Sequence, residues 1–234
     1  MPNPDVHALP PPAPGSAPVP PEPPAPRRRP KPGERRGQIL QALATLLEQP
    51  GGERITTAAL AAHLSVSEAA LYRQFASKAQ MFEGLIDFIE STVFSLMRQL
   101  QEQAPTAPQC AQRQVAMLLQ FAEKNPGLAR VMVGDALVLE NERLQQRMNR
   151  FFDKFEAALR QTLRDAHLTD EPPSPSAAPG QPLAQTPMQA QVQAQAAVLT
   201  AYCLGQLHGY VRSGFRQSPS AQWTRHRDCL FSSL

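Results

Sequence analysis

The stretch from Arg54 to Phe75 constrains the fold more than any other part of the chain. It reads as two short amphipathic helices joined by a tight turn. Thr56 or Thr57 can cap the first helix, whose inward face is Leu60, Ala61 and Leu64. Alanines at 58, 59, 61 and 62 let a second helix cross close to it. Ser65-Val66-Ser67 supplies the turn, with Val66 plugging the corner; Ser65 and Glu68 stand at capping-box spacing, and Ser67 is the competing cap. The second helix buries Leu71 and Phe75 and leaves Glu68, Ala69, Tyr72, Arg73 and Gln74 facing outward, as a recognition helix in a major groove requires. An ordinary helical hairpin in a core shows the same pattern, so the choice falls to charge and to the residues beyond Phe75.

Charge separates the two readings. The net charge is only +3, but residues 27–78 hold nine Lys/Arg against four acidic residues, while residues 79–234 hold fourteen of each. The positive field is confined to the end that carries the two short helices, as phosphate binding requires. Within it, the run Arg27-Arg28-Arg29-Pro30-Lys31-Pro32-Gly33-Glu34-Arg35-Arg36 reads either as an arm that tracks phosphates or enters a minor groove, or as a solvated basic linker.

Residues 1–32 carry fourteen of the 25 prolines and few large apolar residues, so they read as a disordered Pro-rich tail. The tail has no basic region followed by an apolar run and is not read as a secretory signal. Residues 33–78 are expected to form the helix-turn-helix domain, and residues 79–234 a second helical domain. The first helix carries Ile39, Leu40, Leu43, Leu46 and Leu47 on one stripe and ends at Gln49-Pro50-Gly51-Gly52. Ser77 caps a long helix whose stripe runs from Met81 through Leu100, with Phe88 and Phe94 off the stripe. Pro105 and Pro108 break the chain before a helix containing Val115, Met117, Leu118, Leu119 and Phe121, and Asn125-Pro126-Gly127 ends it. A short helix from Leu128 and a longer one from about Leu137 to Leu168 come next. Residues 170–187 read as a flexible loop. A helix from Gln189 to Gly214 has small residues every fourth position (Ala197, Ala201, Gly205, Gly209), which suits close helix packing within the chain or across a dimer. A last helix starts after Pro219. No stretch alternates like a strand, so the expected fold class is all-α.

Catalytic patterns are missing from the sequence. The five histidines are scattered, with no metal-binding pair, phosphate loop or nucleophile elbow, so no metal, cofactor or enzymatic activity is expected. Cys110, Cys203 and Cys229 are too few and too widely spaced for a disulfide framework and suit a reduced cytoplasmic protein. No apolar window is long enough to span a membrane.

The segment from Ile55 to Phe82 resembles the DNA-binding domain of TetR-type repressors, most diagnostically in Leu71-Tyr72-Arg73-x-Phe75-x-Ser77-Lys78. Further strings are similar to the nucleoid occlusion factors within that superfamily: R-I-T-T-A, V-S-E-A-A-L-Y-R, the run from Met81 to Glu90, N-P-G-L at Asn125 to Leu128, and V-R-S at Val211 to Ser213. The resemblance covers about residues 35–168 well and 188–231 more loosely. It implies a TetR-like homodimer on palindromic double-stranded DNA, cytoplasmic and nucleoid-associated. Bound to DNA, such a dimer blocks assembly of the division protein FtsZ. It also implies an FtsZ contact in the groove between the fourth and fifth helices, where Phe88, Met117, Lys124 and Asn125 stand. Lys124 occupies a position where Arg is expected and Gln120 one where Gly is expected. In the helix-turn-helix, Ser65, Gln74 and Ala76 replace an expected Gly, His and Pro, which bears on operator choice rather than on fold.

The sequence supports two functional readings. One is a DNA-activated inhibitor of division; the other is a TetR-type transcriptional repressor released from its operator by a small molecule, which needs a cavity with convergent polar groups in the second domain. In both, Thr56, Thr57, Tyr72 and Lys78 are expected to contact phosphates, Ser67, Ala69 and Arg73 to lie near bases, and Gln74 to belong to the same DNA-binding set. Ala201, Gly205 and Gly209 are the expected dimer contact.

Overall fold

The computed structural model describes residues 33–168 and 187–231, and within these all regular structure is helical. The expected Pro-rich tail, and all of the expected 170–187 loop but Pro187, lie outside the described residues. The helices are α1 (Glu34–Leu47), α2 (Thr57–His63), α3 (Glu68–Tyr72), α4 (Lys78–Gln103), α5 (Ala107–Lys124), α6 (Pro126–Met132), α7 (Glu142–Leu168), α8 (Pro187–Arg212) and α9 (Trp223–Phe231).

Local chemistry sets most of the boundaries. The side chains of Thr56, Ser67, Ser77 and Thr106 each accept a backbone N–H at the start of α2, α3, α4 and α5. Such caps satisfy donors that a helix N-terminus leaves open. Ser67 therefore wins the cap of α3, and Glu68 is free to bond elsewhere. Pro108 does not break α5 but sits in its first turn, where its missing N–H costs nothing. The expected long helix from Leu137 starts later: residues 135–137 form a single 3-10 turn, and α7 begins at Glu142 after Asn141 Oδ1 accepts the Arg143 amide at 2.9 Å. Val138 and Leu139, counted in the sequence as part of that helix, are 76 % and 69 % exposed.

One apolar core runs through all of these helices, from Ile39, Leu43 and Leu47 of α1 to Leu199, Cys203 and Leu207 of α8 and Trp223 of α9. In α4, Met81, Phe82, Leu85, Ile86, Ile89, Val93 and Met97 are buried, which is the stripe read from the sequence. Phe94 packs beside it, its ring 5.5 Å from that of Phe151, whereas Phe88 is half exposed. The interior is less uniformly apolar than the sequence suggests. Gln114, Arg130, Thr162 and Thr200 are buried, and neither polar atom of the Gln114 amide has a hydrogen-bond partner among the described residues. Burial pushes the Cys110 and Cys203 thiols up, as expected of packed, unreactive sulfurs.

The Asn125-Pro126-Gly127-Leu128 string has a structural meaning of its own. The Asn125 side-chain amide donates to the Phe121 carbonyl at 2.7 Å and closes α5. Pro126 opens α6. Gly127 lets α6 lie directly on α1: a Cβ there would sit 2.0 Å from the Ala44 carbonyl oxygen. Arg130, one turn on, donates from Nη1 to the carbonyls of Leu47 (2.8 Å) and Gln49 (3.0 Å) at the C-terminal end of α1. Its Nε lies 3.2 Å from the Asp135 carboxylate, and its guanidinium stacks over the Phe215 ring.

Because the contact is with backbone, Gly127→Ala must push α6 off α1 rather than turn a side chain. The expected loss is about 1–3 kcal/mol, read as a lower urea midpoint with the helical circular dichroism retained.

Candidate DNA-binding face and partner groove

The turn between α2 and α3 closes by two backbone bonds, Ser65 N to Ala62 O and Val66 N to Ala61 O, both 3.0 Å. This is a Schellman arrangement, which puts the residue after the helix in the left-handed region. Ser65 has φ +53°, so the position where the resemblance leads one to expect Gly is one where Gly is physically favoured. Val66 is half-buried against the core, as a corner plug should be.

On the outer side, Tyr72 Oη lies 3.4 Å from Thr57 Oγ1, and Thr57 Oγ1 donates to Glu68 Oε2 at 2.6 Å. This chain ties the start of α2 to both ends of α3. Thr56 is spent partly on capping, whereas Ala69, Tyr72, Arg73 and Gln74 are exposed together with Ser67. α3 is locked from behind by Arg36 of α1, which donates to the Gln74 carbonyl at 3.0 Å and stacks 4.0 Å over Phe75. Sequence reasoning grouped Arg36 with the basic run and missed this anchoring role. Lys78, the expected phosphate contact at the start of α4, is ion-paired with Glu140, and its side chain is 29 % exposed.

A groove of about 270 Å³ is lined by Leu85 and Phe88 of α4, Lys124 and Asn125 at the end of α5, Leu128 of α6, and Leu40, Gln41, Ala44 and Glu48 along α1. The expected site between α4 and α5 is thus corrected in two respects. One wall is α1, whose Leu40 and Ala44 lie beside the deepest stripe of Ile39, Leu43 and Leu47. Met117 is half-buried against the core and does not line this groove. Phe88 is 50 % exposed and Lys124 is exposed at the edge, with Glu48 in the same lining.

At the far end, Ala197, Val198, Ala201 and Gly205 of α8 are exposed, and Gly209 is half-buried. A Cβ on Gly205 or Gly209 would meet nothing within 4 Å. The two glycines form one side of a groove between α8 and the segment from Arg216 to Gln222 that leads into α9. Small residues here therefore do not serve a crossing inside the protomer.

Among the described residues no helix is long and apolar enough to cross a membrane, and no cluster of metal-ligating side chains occurs. Residues 39–85 match the family described as bacterial regulatory proteins, tetR family, and residues 109–234 match the tetracyclin repressor-like C-terminal domain of SlmA-like proteins. Solved structures with the same architecture include the fatty acid degradation regulator FadR from Bacillus halodurans, with a TM-score of 0.66 at 15% identity over 86% of this chain and 97% of that one. FadR from Bacillus subtilis, solved in complex with stearoyl-CoA, gives 0.62 at 14% over 85% and 98%. At such identities the likeness is one of fold, which is TetR-like. Sequence relatives are nearer. The nucleoid occlusion factor SlmA of Alteromonas mediterranea is 42% identical over 81% of this chain and 90% of its own length. That of Shewanella halifaxensis is 43% identical over 85% and 96%. With a helix-turn-helix at one end and a SlmA-like domain over the rest, the chain belongs to the SlmA family of nucleoid occlusion factors.

Proposed function

We propose that the chain acts as a homodimer on palindromic DNA, in the cytoplasm and on the nucleoid. When DNA-bound it blocks FtsZ assembly through the groove formed by α1, α4 and α5. Family membership supports the nucleoid occlusion role. The observation that carries the partner reading is Phe88, a large aromatic that lies off the buried stripe of α4 and stands half exposed in a groove. An aromatic in a concave site, with a cation at the rim, suits a peptide that offers an apolar side chain next to acidic residues. Lys124 is that cation, and an acidic tail of FtsZ is the matching segment. Asn125 commits one amide hydrogen to the Phe121 carbonyl, which fixes its orientation at the groove. On the DNA side, Tyr72, Thr56, Thr57 and Lys78 meet phosphates, and Ser67, Ala69, Arg73 and Gln74 approach bases.

Two variants test this reading. In FtsZ sedimentation with DNA present, Phe88→Ala removes the anchor at a cost of about 2 kcal/mol or more, and Lys124→Glu sets like charges together. Both variants should lose inhibition while binding DNA normally. Inhibition at the wild-type level, or release of the wild-type protein from its DNA by a small molecule, would favour the ligand-responsive repressor instead.

The dimer is tested separately. Gly205→Trp fills a space that is open in the protomer and should drive the protein to monomer in sedimentation velocity. A variant that stays dimeric means the contact lies elsewhere.

A further inference from the structure

Four ion pairs between α4 and α7 place the acid on α4 and the base on α7. Arg143 pairs with Glu83, Arg147 lies 2.5 Å from Asp87 and 2.7 Å from Glu90, and Lys154 is 4.0 Å from Glu90. The pair at the DNA end has the opposite polarity. Lys78, first residue of α4, meets Glu140 from the segment that precedes α7. The Glu140 side chain is only 11 % exposed, so its carboxylate has little water to fall back on. Its neighbours Val138 and Leu139 face solvent, which leaves Glu140 as the residue by which this segment grips α4. The Lys78 ammonium also lies 5.7 Å from the Phe82 ring.

Lys78 stands six positions beyond the end of the recognition helix and one beyond the Ser77 cap. One ammonium cannot serve a mostly buried carboxylate and a DNA phosphate at full strength together. We propose that Glu140 is an affinity-setting residue. It competes with the DNA backbone for Lys78, so DNA binding takes the cation and loosens the grip of residues 138–141 on α4. The inference rests on the reading of Lys78 as a phosphate contact and adds to it an internal competitor 62 positions away.

The competition has a thermodynamic signature. When Lys78 leaves Glu140 for a phosphate, the mostly buried carboxylate loses its cation, and that cost is subtracted from the affinity for DNA. Removing the carboxylate charge removes the cost. Binding of the full-length protein to a duplex of fixed sequence, titrated across salt concentrations, reads this directly. Glu140→Gln should bind roughly threefold to tenfold tighter. Its plot of log affinity against log salt should keep the wild-type slope, because Lys78 meets the same phosphate in both proteins. Lys78→Ala should weaken binding, and adding Glu140→Gln to it should change nothing further. Three results would overturn the proposal: Glu140→Gln binding no tighter than wild type; the same tightening with and without Lys78, which would mean mere loss of a nearby negative charge; or a lower melting temperature with unchanged DNA binding, which would mean a purely structural pair. If Lys78→Ala alone leaves affinity and slope untouched, the phosphate assignment of Lys78 fails first and the competitor falls with it.

Discussion

The Arg130 guanidinium ties α6 to the C-terminal end of α1, the helix that touches both the recognition helix and the groove. A helix leaves its last carbonyls without intrahelical donors. In α1 two acceptors at that end, Leu47 and Gln49, are taken by one charged side chain from α6. Hydrogen bonds to charged groups contribute about 1.5–3 kcal/mol each, well above neutral ones. The positive guanidinium also suits the negative end of the α1 dipole. Asp135 is 43 % exposed, so its ion pair adds less than the carbonyl bonds. The element held in place is α1 itself. Through Arg36, α1 holds the end of the recognition helix; through Leu40, Ala44 and Glu48 it forms a wall of the groove.

The second constraint is α4. Its 26 residues make a rod about 39 Å long that begins at the DNA face. Phe88 lies ten residues after Lys78, about 15 Å along the axis. DNA face and groove are therefore registered on one helix, and α7 is clamped to the same helix by charge pairs. Burial works against the charge of Arg147, but hydrogen bonds and attraction from Glu90 and Asp87 outweigh it and hold its pKa above the ordinary value. A change at Lys78 thus acts on the element that also carries the proposed partner surface.

How much of this was legible in the sequence depends on how local each cause is. The helix-turn-helix could be read because its signals are short-range: Thr56, Ser67 and Ser77 cap, Leu60, Leu71 and Phe75 repeat at helical spacing, and Ser65 with Val66 makes the turn. The stripe of α4 was legible for the same reason. The start of α7 was not, because Val138 and Leu139 satisfy a helical pattern yet face solvent, and Glu140 is drawn to Lys78 by a tertiary contact. Met117, placed at the groove by the family resemblance, instead packs half-buried against the core, because the resemblance carries a position but not the neighbours that cover it. The α1 wall was missed because Leu40 and Ala44 look like ordinary stripe residues until α6 is seen to pack against α1 at Gly127. Arg36 and Arg130 act across the fold on backbone carbonyls, an action that leaves no spacing in the sequence.

The most direct test of the account is FtsZ assembly, monitored by light scattering and sedimentation, with the full-length protein and with or without a duplex that it protects from nuclease. The account predicts weak inhibition by the protein alone and strong inhibition once the duplex is added. Inhibition that is equal with and without DNA would contradict the proposed dependence on the DNA-bound dimer, and no inhibition in either case would contradict the partner assignment itself.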